Sequence, residues 1–283
     1  MKFILDILRG IVIGVANIIP GVSGGTMMVS MGIYDTLIGC INNLFKKFKE
    51  SILTLLPYVI GMAIGILGLA KLIVYSLEHF PLPTGVLFIG LIFGSIPIIL
   101  GRIKEGIDHR FHVLEFAIGF AVVVGLQLLG SGNGKDAAMN MSPVLVIVLF
   151  LMGVIASATM VIPGVSGSMM LMLLGYYNPI VGAISGLLDG LVARNFSAVL
   201  SCVAVLLPFG IGVIVGIFAI AKLIEVLLKK APARTFSFIL GLVIASPVAI
   251  LMETSFAGIT VVTVLASIVC FAVGFIVALK LGE

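Results

Sequence analysis

The stretch PGVSGGT at residues 20–26 returns almost unchanged as PGVSGSM at residues 163–169. Each copy interrupts a long apolar run, at residues 10–34 and at residues 143–177. A proline followed by glycines ends a helix and frees backbone N–H and C=O groups. Inside a bilayer such a break is tolerated only within protein or beside a polar cavity. The two copies therefore predict two broken helical elements.

Composition places the chain in a membrane. Of its 283 residues 61% are hydrophobic and only 10% are charged, whereas about a quarter are charged in soluble domains. This excludes a soluble globular protein, a disordered chain and a nucleic-acid binder. The three cysteines are far apart in apolar surroundings, without a CxxC spacing, so we expect no disulfide, metal site or cofactor.

Six further stretches predict membrane-spanning helices, since each approaches the roughly 20 apolar residues that a bilayer requires. They are residues 52–77, 84–100 and 111–130 in the first half and residues 198–228, 235–251 and 258–279 in the second. The arm at residues 11–19, before the first break, would reach only about half of the roughly 30 Å hydrocarbon core. We therefore predict an all-α polytopic membrane protein in which each broken element is a re-entrant helical hairpin.

The two halves of the chain resemble each other. Residues 20–44 align without gaps on residues 163–187 at an offset of 143, with 11 of 25 positions identical. Residues 55–73 align on residues 206–224 at an offset of 151. The alignment predicts two repeats, residues 1–130 and 131–283, each made of one hairpin and three spans.

The basic residues predict how the repeats are oriented. If both broken elements return to the side they entered from, 13 of the 16 lysines and arginines lie on one face. By the positive-inside rule that face, with both termini, is cytoplasmic. Three crossings per half then invert one repeat relative to the other. Inverted repeats with broken helices near the bilayer midplane are typical of transporters.

The two breaks are candidate anion sites. A helix N-terminus presents unpaired N–H groups and a partial positive charge, glycines let an anion approach the backbone, and serine hydroxyls add donors. The candidate residues at the breaks are Ser23, Gly24, Gly25, Thr26, Ser166, Gly167 and Ser168. The alternative interpretation is that each PGVSG segment is only a tight turn where two hairpin tips pack.

Four polar residues outside the motifs are further candidates. Asn17 precedes Pro20 by about one helical turn and would line the site on one side only. Lys71 and Lys222 are repeat equivalents that either supply counter-charge to a phosphate or extend to the membrane interface; Glu225, one turn away, favours a local ion pair for Lys222. Arg9 either guides an anionic headgroup inward or anchors the chain to anionic lipid.

Together these residues resemble the bacterial polyprenyl-phosphate transporter family. The segments that carry the resemblance are NIIPGVSGGT at residues 17–26, GIY at 32–34, IPGVSGS at 162–168 and GYY at 175–177. The resemblance implies a protein of the bacterial cytoplasmic membrane that returns undecaprenyl phosphate to the cytoplasmic leaflet. It extends a substrate-binding role to the serines and glycines of the motifs and to Thr26, with the phosphate near the midplane and the prenyl tail in lipid.

Two other functions stay open at this point. A small-anion channel or carrier would also use helix N-termini, but few polar residues are available to line a wet pore. A polyprenyl diphosphate phosphatase resembles the same architecture, but its motif continues with arginine where this chain has Gly24 and Gly167. Without a cation at the break, hydrolysis is disfavoured and we predict no enzymatic activity. The coupling ion, the oligomeric state and the prenyl length do not follow from the sequence.

Overall fold

The structure is a computed structural model that describes residues 2–17, 23–105, 110–130, 136–137, 139, 141–256 and 259–282, with only the backbone at residues 2, 70, 71 and 130. Within these residues the regular secondary structure is helical, and no strand is present. The helices are α1 (Lys2–Ala16), α2 (Gly24–Ser30), α3 (Tyr34–Asn42), α4 (Phe48–His79), α5 (Pro81–Glu105), α6 (Val113–Gly130), α7 (Pro143–Val161), α8 (Gly167–Leu173), α9 (Tyr177–Val192), α10 (Phe196–Lys230), α11 (Pro232–Glu253) and α12 (Val261–Gly282).

The six predicted spans correspond to α4, α5, α6, α10, α11 and α12. By length and hydropathy α4, α5, α7, α10, α11 and α12 could each cross a membrane, and α6 is a shorter apolar helix. The chain is therefore a multi-pass membrane protein. The inclusion of α7 is unexpected, because the sequence predicts residues 143–177 as a re-entrant hairpin. The 19 residues of α7 rise about 28 Å, close to the thickness of the hydrocarbon core.

The first arm of the first broken element is longer than predicted. Helix α1 has 15 residues and begins at Lys2, so the predicted start of the arm at residue 11 is wrong; residues 18–19 lie outside the described residues. Polar residues before the apolar run stay in the helix because they pair with one another: Arg9 Nη1 lies 3.2 Å from Asp6 Oδ1. The arm still rises only about 22 Å, less than the hydrocarbon core.

The second arm of each broken element ends in the same turn. Gly32 and Gly175 have φ of 66° and 78°, values that favour glycine at the C-terminal end of a helix. After them Ile33 N donates to Met28 O at 3.1 Å, and Tyr176 N donates to the equivalent carbonyl of Leu171 at 2.8 Å. Helices α2 and α8 therefore have only seven residues each, and α9 bends away from α8 by 110°.

The described contacts divide the chain into two compact units. The larger unit is Met1–Gly125, Ile162–Val165 and Ala221–Glu283, and the smaller unit is Leu126–Val161 and Ser166–Ile220. This division groups helices by packing, whereas the repeats at residues 1–130 and 131–283 divide the sequence by similarity. The repeat boundaries stay a prediction.

Glycines bring α1 against α4 and α7 against α10 in the same register. In the larger unit a Cβ at Gly61 would strike the Ile7 carbonyl, and one at Gly65 would strike that of Ile11. In the smaller unit Gly212 faces Phe150 and Gly216 faces Val154, the positions expected from offsets of 143 and 151. The helices of each pair are parallel, because a step of four residues along one helix matches a step of four residues in the same direction along the other. A parallel pair requires the chain between its members to return to the side it started from.

The remaining spans of the larger unit pack with partners from the other half of the sequence. Gly90 of α5 faces Phe271 of α12, and its repeat equivalent Gly241 of α11 faces Phe116 of α6. Since Gly94 faces Phe275, α5 and α12 are parallel. Successive spans joined by a short loop run in opposite directions, so α11 runs against its equivalent α5. Inverted halves predict this arrangement; the orientation across a bilayer stays a prediction.

Candidate functional site

Ser23 caps the first helix after the first break. Its backbone is extended at φ −108° and ψ 137°, and its Oγ accepts a hydrogen bond from Gly25 N at 3.2 Å. Such a cap satisfies a donor that the helix itself leaves unpaired. The Ser23 hydroxyl also donates to the carbonyl of Ile162 at 3.5 Å, and the residue is only 4% exposed. Pro20, Gly21 and Val22 of this motif lie outside the described residues.

Thr26 joins the first motif to the turn of the second. Its Oγ1 accepts a hydrogen bond from Gly164 N at 2.7 Å, and the residue is fully buried. Together with the contact from Ser23 to Ile162, this bond ties the start of α2 to residues 162–165 inside the larger unit. We call these two contacts the clasp. The clasp brings together parts of both PGVSG motifs.

Gly164 explains why the second motif requires glycine after its proline. Its φ is +80°, a conformation that other residues rarely adopt. A Cβ at this position would also lie 2.6 Å from the carbonyl oxygen of Leu242 and 3.1 Å from Val123. The turn is therefore held closely between α2 on one side and α11 on the other.

The serines of the second motif, which belong to the smaller unit, have a different environment. Ser166 caps α8 with extended backbone, and its Oγ accepts from Met169 N at 3.5 Å. The same oxygen lies 2.8 Å from Ser168 Oγ, and Ser168 is exposed. Gly167 packs closely on α7, where a Cβ would lie 2.7 Å from the carbonyl oxygen of Ala156. We call Ser166 and Ser168 the serine pair.

Asn17 lies beside the glycines of the first motif. A Cβ at Gly24 would lie 2.8 Å from Asn17 Oδ1 and 2.9 Å from Asn17 Nδ2. The Asn17 side chain is exposed, whereas Gly24 and Gly25 are buried. The absence of a side chain at Gly24 thus allows the Asn17 amide to approach the start of α2. That Asn17 lines a binding site stays a prediction.

Arg9 is engaged within the fold. Its Nε and Nη2 donate to the carbonyl of Leu281 at 2.9 Å and 2.7 Å, and Nη1 pairs with Asp6 at 3.2 Å. Tyr58 donates to the same Asp6 oxygen at 2.8 Å. The guanidinium therefore binds the carbonyl at the C-terminal end of α12, where a positive charge is favourable.

Lys222, one of the two equivalent lysines, makes a local ion pair. Lys222 is exposed and pairs with Glu225 at 3.0 Å, and Glu225 also pairs with Lys229. The local ion pair favoured by the sequence is thus confirmed. The side chain of Lys71 lies outside the described residues.

The sequence did not identify the partners of the clasp. Ile162 contributes a carbonyl and Gly164 an amide, and neither group is distinguished by residue type. A partial signal was present: Thr26 is the hydroxyl residue of the first motif whose counterpart, Met169, has none. Because only the first motif has a hydroxyl at this position, only the first motif can make a hydrogen bond from it.

Comparison with known proteins gives consistent results. The family described as undecaprenyl phosphate translocase-like matches residues 13–261 and 187–281. A polyprenyl-phosphate transporter of Staphylococcus aureus (strain NCTC 8325 / PS 47) is 34% identical over 286 residues, which cover 99% of this chain and 96% of the relative. Another polyprenyl-phosphate transporter, from Vibrio cholerae serotype O1, is 30% identical over 260 residues, covering 87% and 77% of the two chains. No solved structure matches.

Proposed function

We propose, from the premise that the chain belongs to the undecaprenyl phosphate translocase-like family, that it moves polyprenyl phosphate across the bacterial cytoplasmic membrane. Two relatives that align over most of its length are named polyprenyl-phosphate transporters. The proposal includes transport without bond cleavage, cytoplasmic termini and a substrate of undecaprenyl length. The prenyl tail stays in lipid while the phosphate passes through the protein.

The serine pair carries the proposal for the headgroup. Two hydroxyls 2.8 Å apart, one of them exposed, can donate to two oxygens of one phosphate. Hydrogen bonds to an ionised phosphate are about twice as strong as neutral ones, and more so away from water. The serine pair therefore binds the headgroup chiefly through neutral donors, near the depth of the break.

The first motif contributes a second group of candidate donors. Ser23, Thr26, Gly24 and Gly25 surround the start of α2, and Asn17 lies on Gly24. In the described conformation Ser23 and Thr26 form the clasp. We infer that the clasp opens during transport, because inverted repeats expose a shared site alternately by exchanging equivalent contacts. In the opposite-facing state the hydroxyl of Ser23 becomes available to phosphate.

The charged candidates have smaller roles in this proposal. Arg9 stabilises the junction of α1 and α12 through Leu281. Lys222 and its equivalent Lys71 attract anionic headgroups at the membrane surface, since Lys222 is exposed. The headgroup site itself depends on hydroxyls and backbone amides.

The test is transbilayer movement of fluorescent polyprenyl phosphate in proteoliposomes, read by a quencher confined to the outer face. We expect wild-type protein to equilibrate the lipid and the double variant Ser166→Ala, Ser168→Ala to be slower by about tenfold or more, the equivalent of one charged hydrogen bond. The matched control is Ser197→Ala, Ser201→Ala, which removes two exposed helix serines from the same unit. It should transport at the wild-type rate.

Three results would contradict the proposal. An unchanged rate in the serine-pair variant would remove the headgroup site. Chloride flux without lipid movement would identify an anion channel, and phosphate release from polyprenyl diphosphate would identify a phosphatase. Uncharged polyprenol serves as the substrate control, and it should not be moved.

A further inference from the structure

A recess in the larger unit lies between the α2–α3 turn and helices α5 and α11. Its cavity volume is about 10 Å³, room for about one water molecule. Most of its lining is apolar, and the polar side chains are Tyr34 and Asp35 from α3 and Arg102 from α5. Gly32, whose positive φ makes the turn, forms part of the wall.

Asp35 has an unusual environment in this recess. Its Oδ1 is buried and has no hydrogen-bond partner among the residues that the structure describes. Buried carboxylate oxygens are normally paired, because an unpaired one loses hydration without compensation. Burial raises the pKa of the Asp35 carboxyl above its ordinary value, and nearby Arg102 lowers it in part. Burial thus favours the neutral carboxyl, and the arginine favours the charged one.

The repeat shows that the carboxylate is not needed for the turn. The second copy of the turn has the same glycine conformation at Gly175, but the position equivalent to Asp35 is Asn178. The Asn178 amide instead donates to Asp136 at 3.0 Å. Since a neutral side chain accompanies the same glycine conformation, the turn does not require the acid.

The chemistry of the recess fits a proton rather than a metal cation. Na⁺ or a divalent cation requires several oxygen ligands to replace its water. Here the described oxygen donors are the Tyr34 hydroxyl and the Asp35 carboxyl, while Val29, Ile98 and Phe236 supply hydrocarbon. The guanidinium of Arg102 also repels a second cation. A carboxyl in such a place gains or loses a proton instead.

We propose that Asp35 is the proton-binding site of the transport cycle. The proposal rests on the transport function proposed above. A charged Asp35 attracts Arg102 of α5, and a protonated one does not. Helix α2 carries Thr26 of the clasp near its start and Val29 of the recess near its end. Protonation of Asp35 therefore changes the attraction between Arg102 and the turn that follows the helix of the clasp. The charged groups concerned are Asp35 and Arg102, with Tyr34 beside them and Glu105 pairing with Arg102 at 3.5 Å outside.

The first experiment is the pH profile of polyprenyl phosphate transport in proteoliposomes. Asp35→Asn gives the first turn the neutral residue of the second and fixes the uncharged state. We expect the wild-type rate to change by about fivefold or more across the titration of one carboxyl, and the variant rate to stay within about twofold. Asp35→Glu should restore the titration step. Glu50→Gln, which removes an exposed carboxylate of α4 that pairs with Lys47, should keep the wild-type profile.

The second experiment needs no transport. A carboxyl whose pKa is higher in the folded than in the unfolded protein binds its proton more tightly in the folded state. The free energy of unfolding therefore falls as pH rises from the pKa of the unfolded state to that of the folded state. The Tm of Asp35→Asn in detergent should therefore match wild type near about pH 4 and exceed it by about 2–4 °C near about pH 8. A Tm difference that does not vary with pH, or a Tm that rises with Na⁺ only when Asp35 is present, would overturn the proton site. If wild type moves no lipid but the Tm titration appears, the transport function fails and the proton-binding carboxyl stands.

Discussion

Ser23 and Ser166 occupy equivalent places in the two PGVSG motifs, and both cap a seven-residue helix with extended backbone. Ser23 is 4% exposed and donates to the carbonyl of Ile162. Ser166 is half-buried and lies against the hydroxyl of exposed Ser168. The serine therefore has the same capping backbone in both motifs, while the two hydroxyls have different partners.

The difference follows from the two residues after each motif. The first copy continues with Gly25 and Thr26, and the second with Ser168 and Met169. Threonine supplies the buried acceptor for Gly164 N, which methionine cannot. Serine supplies the second hydroxyl of the serine pair, which glycine cannot. Two substitutions between the repeats thus give one motif the clasp and the other the serine pair.

The clasp depends most on Gly164. Gly164→Ala forces a side chain into a positive φ and against the Leu242 carbonyl, so we expect about 3 kcal/mol of destabilisation. The measurement is thermal unfolding in detergent. The control is Gly39→Ala in α3, where a Cβ meets open space; its free energy of unfolding should be unchanged or up to about 1 kcal/mol higher. Equal Tm values for the two variants would show that the turn is not held closely.

The hydroxyl of Thr26 is the next test. Thr26→Val keeps the shape but leaves the buried N–H of Gly164 without its acceptor, which should cost about 2 kcal/mol. The control is Thr54→Val, which removes an exposed hydroxyl bonded to the Glu50 carbonyl four residues earlier and should cost under about 0.5 kcal/mol. Chemical unfolding followed by circular dichroism separates the two. A loss no larger than the control's would contradict the clasp.

Much of the fold could be predicted because apolar length and helix breakers act locally. Residue type alone predicted a helix at each of the six stretches, the break at the second motif and the offsets of 143 and 151. The start of α1 did not, since Asp6 and Arg9 read as polar residues outside a membrane helix. Only the structure shows that Tyr58 and the Leu281 carbonyl form hydrogen bonds with Asp6 and Arg9, from distant parts of the chain.

The candidate site was predicted by residue but not by role. Glycine, serine and threonine at a break indicate exposed backbone and hydroxyl donors, and this reasoning selected both motifs. It treated Ser23 and Ser166 alike because identical letters give identical local geometry. Their difference arises from Ile162 and Gly164, whose backbone groups have no signature in sequence. Asp35 was missed for the same reason, since the burial of its oxygen depends on α5 and α11.

Replacing the capping serine of each motif has the smallest expected effect on stability, and it compares the two motifs most directly. Ser23→Ala removes a buried cap and should cost about 1 kcal/mol, whereas Ser166→Ala removes a longer, more exposed cap bond and should cost under about 0.5 kcal/mol. If the clasp opens in each cycle, both variants slow the movement of polyprenyl phosphate to a similar extent, although only Ser23→Ala lowers the Tm. A fixed clasp gives the opposite pattern: Ser23→Ala would lose stability and keep the wild-type rate. Measuring Tm and transport on the same two preparations therefore distinguishes a clasp that opens in each cycle from a fixed clasp. The Tm depends on the described conformation, whereas the transport rate depends on every conformation of the cycle.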